Sequence, residues 1–125
     1  MLMHKKLLIK KRGNLMNVYD TANKLAQEIR ESQEYISYKN MKDEIMSNPE
    51  LKSKIEEFEK LRYDIQLMQY SGEQKDEEKM KKLENMYAIL IEDEQIKKYF
   101  DLEVNFNVMI VDINKIIAES IKGVL

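Results

Sequence analysis

The chain has 125 residues and a formal net charge of −2, with 43% apolar and 35% charged residues. This composition is typical of one globular helical domain and argues against a disordered chain. The absence of cysteine excludes disulfides and thiolate chemistry. Three glycines and one proline are too few for the many turns of an all-β domain of this size.

Residues 1–15 differ in charge from the rest of the chain. They contain no acidic residue and five of the 21 basic residues, which are Lys5, Lys6, Lys10, Lys11 and Arg12. Residues 16–125 therefore hold 16 basic against 23 acidic side chains. The apolar run from Leu7 to Ile9 is shorter than the roughly 7–15 residues of a signal peptide or the roughly 20 of a membrane helix.

Three interpretations of this basic leader remain open. The codons of Lys11-Arg12-Gly13 can form a purine-rich run that resembles a ribosome-binding site upstream of Met16, which would make residues 1–15 the product of a misassigned start. The leader is otherwise a short disordered tail, or an RNA-binding arm without aromatic side chains for base stacking. We expect the native chain to begin at Met16, so that mass spectrometry recovers no peptide spanning Lys11 to Met16.

From Met16 onward the apolar spacing predicts helices. In the first, one face carries Val18, Ala22, Leu25, Ala26 and Ile29. The second continues with Tyr35, Tyr38, Met41, Ile45 and Met46, and Ser32 is a candidate for its N-cap.

The third helix has the clearest start signal, because Asn48 suits an N-cap and Pro49 the first helical position. Its apolar stripe consists of Leu51, Ile55, Phe58, Leu61, Ile65 and Met68. The polar segment 71–77, which contains Gly72, predicts a break before a fourth helix over roughly 76–91. We also expect a surface ion pair between Glu57 and Arg62 on the third helix.

The last segment predicts the longest helix, starting after Asp93, and it is apolar on more than one side. A helix with so wide an apolar surface needs several neighbours, so we expect a homodimer with this helix at the interface. The candidate interface residues are Phe100, Val104, Phe106, Ile110, Val111, Ile113 and Ile117. The predicted fold is an all-α antiparallel bundle of about five helices in a single domain over residues 16–125.

No catalytic or metal-binding constellation is present in the sequence. The single histidine is His4, so residues 16–125 offer no histidine to a serine nucleophile or to a di-iron centre. The carboxylate runs 76–78 and 92–94 are typical of loops and helix caps, and we expect no catalytic residue, metal or cofactor. Tyrosine is common at interfaces, which makes one cluster a candidate partner patch: Tyr35, Tyr38, Lys39 and Lys42.

The stretch "YISYKNMKDEIMSNPELKSKIEEFEKLRYDIQ" resembles the YlbF/YmcA family of small helical proteins from Gram-positive bacteria, and most of all its YheA-type branch. The resemblance rests on the patch above, the turn 47–51, Ile55 and Phe58, and the later residues Tyr99, Glu103, Phe106, Asn107, Ile110, Ile113, Ile116 and Ile117. It implies a self-associating, non-enzymatic protein. Some relatives act in a complex that modulates competence, sporulation and biofilm formation. Those relatives carry cysteines implicated in holding an iron–sulfur cluster. This chain has no cysteine, so neither the cluster nor membership of that complex is expected for it.

The sequence thus predicts a cytoplasmic helical adaptor that binds itself and another protein, without contact with a membrane. The alternative is an RNA-associated factor that uses the basic leader, although the acidic remainder of the chain disfavours nucleic acid.

Overall fold

A computed structural model describes residues 17–125 of the chain. Within this range the regular elements are five α-helices: α1 (Val18–Glu31), α2 (Gln33–Met46), α3 (Pro49–Tyr70), α4 (Glu77–Leu90) and α5 (Glu94–Ser120). The predictions of an all-α fold and of a long C-terminal helix are therefore confirmed. The basic leader and the proposed start at Met16 lie outside the described residues.

The chain divides into two units, with the boundary after Ile36. The described part of the first unit, residues 17–36, contains α1 and the first residues of α2. The second unit, residues 37–125, contains the rest of α2 and α3 to α5. The assignment of one domain to residues 16–125 remains a prediction.

In the first unit, the side chains of two polar residues define the helix ends. Asn17 caps α1 by accepting a hydrogen bond from the backbone N–H of Asp20 at 3.0 Å. The Ser32 hydroxyl donates to the carbonyl of Ile29 at 2.6 Å and accepts from the N–H of Tyr35 at 3.2 Å. Ser32 thus ends α1 and caps α2, which confirms its predicted role.

In the second unit, three helices begin at the residues that the capping rules favour. Asn48 accepts from the N–H groups of Glu50 and Leu51, with Pro49 opening α3. Asp76 caps α4 through the N–H of Lys79 at 3.1 Å, and Asp93 caps α5. These aspartates lie in the two carboxylate runs, which confirms that both runs contribute helix caps.

The core of the second unit is formed by buried side chains of α2 to α5. Phe58 of α3 lies near its centre, with ring centroids 6.1 Å from Tyr87 and 5.3 Å from Phe100. Phe58 of α3 packs against Tyr87 of α4, and Met68, later in α3, lines the same groove as Met80, earlier in α4. The two helices therefore run antiparallel. The buried cluster comprises Ile45, Leu51, Ile55, Phe58, Leu90, Ile96, Tyr99 and Phe100.

The Asn48 cap provides a direct test of the α3 start. Replacing Asn48 with alanine removes the acceptor for two backbone N–H groups and should lower the free energy of unfolding by about 1 kcal/mol. Urea unfolding followed by circular dichroism measures this change. Asn40→Ala, at an exposed position within α2, is the matched control and should change stability less. Equal effects of the two substitutions would contradict the capping role.

Candidate functional site

A polar cleft in the second unit is formed by side chains of three helices. Tyr38 comes from α2, Glu59 and Arg62 from α3, and Glu103 from α5. Glu59 and Arg62 are three residues apart, so both project from one face of α3. The cleft has a volume of about 530 Å³ and is lined by Tyr38, Lys42, Glu59, Arg62, Tyr63, Gln66, Glu103 and Asn107.

The centre of the cleft is an ion pair between α3 and α5. The Arg62 guanidinium donates to both carboxylate oxygens of Glu103, at 3.1 Å from Nη1 to Oε1 and 3.4 Å from Nη2 to Oε2. The Tyr38 hydroxyl donates to the same carboxylate at 3.3 Å. The Glu103 side chain is only 13% exposed and that of Arg62 35%. This forked geometry with partial burial makes the pair stronger than an ordinary surface ion pair.

The prediction of a Glu57–Arg62 pair was wrong, because Arg62 turns toward α5 and pairs with Glu103. Its guanidinium carbon also lies 5.4 Å from the centre of the Phe58 ring, a cation–π distance. Burial by itself lowers the pKa of Arg62, but the hydrogen bonds and negative charge of Glu103 outweigh this effect and raise the pKa. Arg62 is therefore permanently charged and bound between an aromatic ring and a carboxylate.

Two tyrosines lie behind the ion pair. Tyr99 is 0% exposed, and its hydroxyl donates to Glu59 Oε1 at 3.4 Å. Its ring centroid is 5.6 Å from that of Tyr38. Burial raises the pKa of Tyr99, and its hydrogen bond to Tyr38 raises it further. Burial also raises the pKa of Tyr38; the hydrogen bond with Tyr99 offsets part of this effect, and the charge of Glu103 adds to it.

The raised tyrosine pKa values predict alkaline destabilisation. The folded protein holds the two phenolic protons more tightly than the unfolded chain, whose tyrosines ionise near pH 10. This contribution to stability is therefore complete below about pH 10 and is lost as the pH rises above it, by at most about 1.4 kcal/mol per pH unit for each tyrosine. Urea unfolding at pH 8, 10 and 11 should show the decline.

The matched variants for this test are Y38F/Y99F and Y70F. Removing both hydroxyls should flatten the decline between pH 10 and 11, whereas Tyr70 is almost fully exposed and its substitution should leave the slope unchanged. The same slope in Y38F/Y99F as in the wild type would show that other groups cause the alkaline loss.

The polar groups of the cleft connect side chains of α2, α3 and α5. The residues from 17 onward include no histidine or cysteine, and no group of three or more acidic side chains within them is arranged to hold a metal ion. The polar atoms at the centre already bond to one another, while Lys42, Gln66 and Asn107 surround them. The cleft joins α2, α3 and α5, and polar side chains remain exposed at its edge.

The four residues of the predicted partner patch do not lie together at one site. Tyr35 belongs to the first unit, and Lys39 forms an exposed ion pair with Asp43 at 2.8 Å. Tyr38 and Lys42, by contrast, both line the cleft. Glu59 and Arg62 also line the cleft, although the sequence pattern did not predict them there. α3 carries many other charged side chains, so no local signal distinguishes these two.

The predicted interface residues of α5 also fall into classes. Phe100 is 4% exposed and belongs to the subunit core, whereas Phe106, Ile110 and Ile113 are half-buried. The exposed members are Val104, Val111 and Ile117, and the structure adds Val108 and Ile116, which were not among the predicted interface residues. No residue of α5 after Phe100 is fully buried, so the C-terminal three quarters of this helix exposes much of its apolar surface.

The hydropathy of α5 does not make it a membrane helix. Among the described residues, no helix combines the length and the apolar character needed to cross a bilayer.

Comparison with known sequences gives a consistent set of relatives. The sequence model of the family described as "Control of competence regulator ComK, YlbF/YmcA" matches residues 18–122. A UPF0342 protein of Halothermothrix orenii is 40% identical over 102 residues, which cover 82% of this chain and 86% of the relative. A UPF0342 protein of Alkalihalophilus pseudofirmus is 34% identical over 110 residues, 88% and 93% of the two chains.

Solved structures show the same fold. A protein of unknown function (DUF964) from Bacillus stearothermophilus aligns with a TM-score of 0.74 at 14% identity, over 84% of this chain and 92% of the other. The structure of yheA from Bacillus subtilis aligns with a TM-score of 0.61 at 25% identity, over 88% and 100%. The resemblance drawn from the sequence is confirmed, and the chain belongs to the YlbF/YmcA family.

Proposed function

We propose that this protein is a cytoplasmic, non-enzymatic regulator that acts as a homodimer and through contacts with another protein. The description of its family, control of the competence regulator ComK, supports a regulatory role. The main support for self-association is the exposed apolar surface of α5 after Phe100.

Residues 104–121 combine many large apolar side chains with few charges. Only Asp112, Lys115 and Glu119 are charged in this stretch of eighteen residues. Its ten large apolar side chains are Val104, Phe106, Val108, Met109, Ile110, Val111, Ile113, Ile116, Ile117 and Ile121. Exposed apolar surface on this scale favours association, and each aliphatic side chain that passes from half-exposed to buried contributes roughly 1 kcal/mol.

A second copy of the chain is the partner that this surface fits. Every copy carries the same apolar helix, so a two-fold axis brings two such surfaces together and buries both at once. The polar cleft differs from this apolar surface, because its side chains are hydrogen-bonded to one another and its edge is charged. We assign the contact with the other protein to the cleft edge, where Lys42 and its neighbours are exposed.

Sedimentation equilibrium on chains beginning at Met1 and at Met16 tests the self-association. Both should sediment as dimers at tens of micromolar. A folded monomer at that concentration would refute the proposal, and a dimer formed by the longer chain alone would assign the association to the leader instead of α5.

The regulatory role is tested by deleting the gene in its source organism and measuring a reporter controlled by the competence regulator. Reporter output should change, and the wild-type gene should restore it. A gene whose α5 surface has been made polar should not restore it, although the variant protein accumulates. Unchanged output after deletion would contradict a role in this control.

A further inference from the structure

One side of α5 has the spacing of a coiled-coil seam. Side chains at positions separated alternately by four and three residues lie along one stripe of a helix, because seven residues make nearly two turns. In α5 this stripe runs through Lys97, Asp101, Val104, Val108, Val111 and Lys115. All six side chains are exposed, and the three valines are 58%, 54% and 49% exposed.

The arrangement along the stripe is an apolar centre between charged ends. Val104 and Val111 lie about one turn on either side of Val108. Beyond them, Lys97 and Asp101 precede the valines, while Lys115 and Glu119 follow them. The order of charges is therefore positive, negative, apolar, positive, negative.

We propose that two copies of α5 pack antiparallel along this seam, with the two-fold axis at Val108. This inference rests on the proposed self-association and specifies its geometry. The axis at Val108 places each residue at the height of the partner residue equally far away on the other side, so Val104 lies within one residue of the height of the partner's Val111. Asp101 and Lys115 are each seven residues from Val108, and Lys97 and Glu119 are each eleven.

The charges select this orientation. In the antiparallel pair, Asp101 faces the partner's Lys115 and Lys97 faces the partner's Glu119, and the symmetry makes each contact twice. A parallel pair would instead set Lys97 against the partner's Lys97 and Asp101 against the partner's Asp101. Opposite charges at the flanks of a helix pair favour one orientation, and like charges disfavour the other.

The charged side chains are available for these contacts. None of the ion pairs within residues 17–125 involves Lys97, Asp101 or Lys115. Glu119 pairs with Lys122 at 3.3 Å, but both side chains are about three-quarters exposed, so this pair exchanges readily. The seam from Lys97 to Glu119 is about 33 Å long, which is long enough for a continuous contact between two helices.

Cysteine cross-linking of the full chain distinguishes the orientations, and the chain has no native cysteine to interfere. In the antiparallel dimer, V108C lies next to its own copy and should form an intersubunit disulfide on mild oxidation. Two copies of D101C would be separated by about 21 Å along the helix axis, too far for a disulfide. A mixture of D101C and K115C should cross-link as a heterodimer.

A charge swap provides the second measurement, with the dissociation constant from sedimentation equilibrium as readout. D101K and K115D each create two like-charge contacts per dimer and should weaken the dimer about tenfold. The double variant D101K/K115D restores opposite charges across the axis and should recover the wild-type affinity. In a parallel dimer each of these residues would face its own copy, so the single substitutions would only exchange one like-charge contact for another and would not weaken the dimer tenfold.

The outcomes separate this inference from the proposed function. A monomeric wild type would refute the self-association and the seam together. A wild-type dimer in which D101C cross-links by itself, V108C does not, or the charge swap fails to restore affinity would refute the antiparallel seam and leave the dimer standing.

Discussion

Replacing Val104 and Val111 together with aspartate should dissociate the dimer while leaving the subunit folded. Both side chains are about half exposed in the subunit and belong to the apolar centre of the proposed seam. Four valines per dimer would lose roughly 1 kcal/mol of burial each, and the new carboxylates would face one another. We therefore expect the dissociation constant to rise at least about 100-fold, measured by sedimentation equilibrium.

The matched control is Ile89→Asp on α4, which also replaces an exposed aliphatic side chain but lies outside the proposed seam. It should leave the dissociation constant unchanged. Circular dichroism should show the same helix content for the Val104/Val111 variant as for the wild type. Loss of helix content would instead mean that these valines belong to the subunit core, which would contradict the placement of the interface.

Replacing Glu103 with alanine should lower the free energy of unfolding by about 2–3 kcal/mol. The substitution removes the acceptor of two guanidinium hydrogen bonds and one tyrosine hydrogen bond. The Arg62 side chain, which is only 35% exposed, then loses the carboxylate of its ion pair. The expected loss lies between that of an exposed ion pair and that of a fully buried one. Urea unfolding at a fixed protein concentration measures it.

Glu57→Ala is the control, because it removes a carboxylate from the same helix as Arg62, at an exposed position. Its effect should stay within about 0.5 kcal/mol. The double variant E103A/R62A should be more stable than the sum of the single losses predicts, since removing both partners leaves no uncompensated charge. Equal losses of stability for Glu57→Ala and Glu103→Ala would contradict the Arg62–Glu103 ion pair.

The amino-acid sequence by itself determined the helices and where most of them begin. Ser32, Asn48 and Asp93 were predicted as caps and act as caps, because capping joins a side chain to backbone groups two or three residues away. The apolar spacing likewise identifies helices without knowledge of their neighbours. The family was also recognisable, since the turn 47–51 and the flanking pattern lie close together in the chain.

The tertiary structure decided which side chains meet. Arg62 and Glu103 are forty-one residues apart, so no local rule could select Glu103 over Glu57 as its partner. Phe100 and Val104 are one turn apart on α5, yet one is buried in the core and the other is exposed. That difference depends on where α2, α3 and α4 cover α5. Apolar spacing identifies a helix face, but only the packed neighbours of that face determine whether it is buried within the subunit or left for a partner.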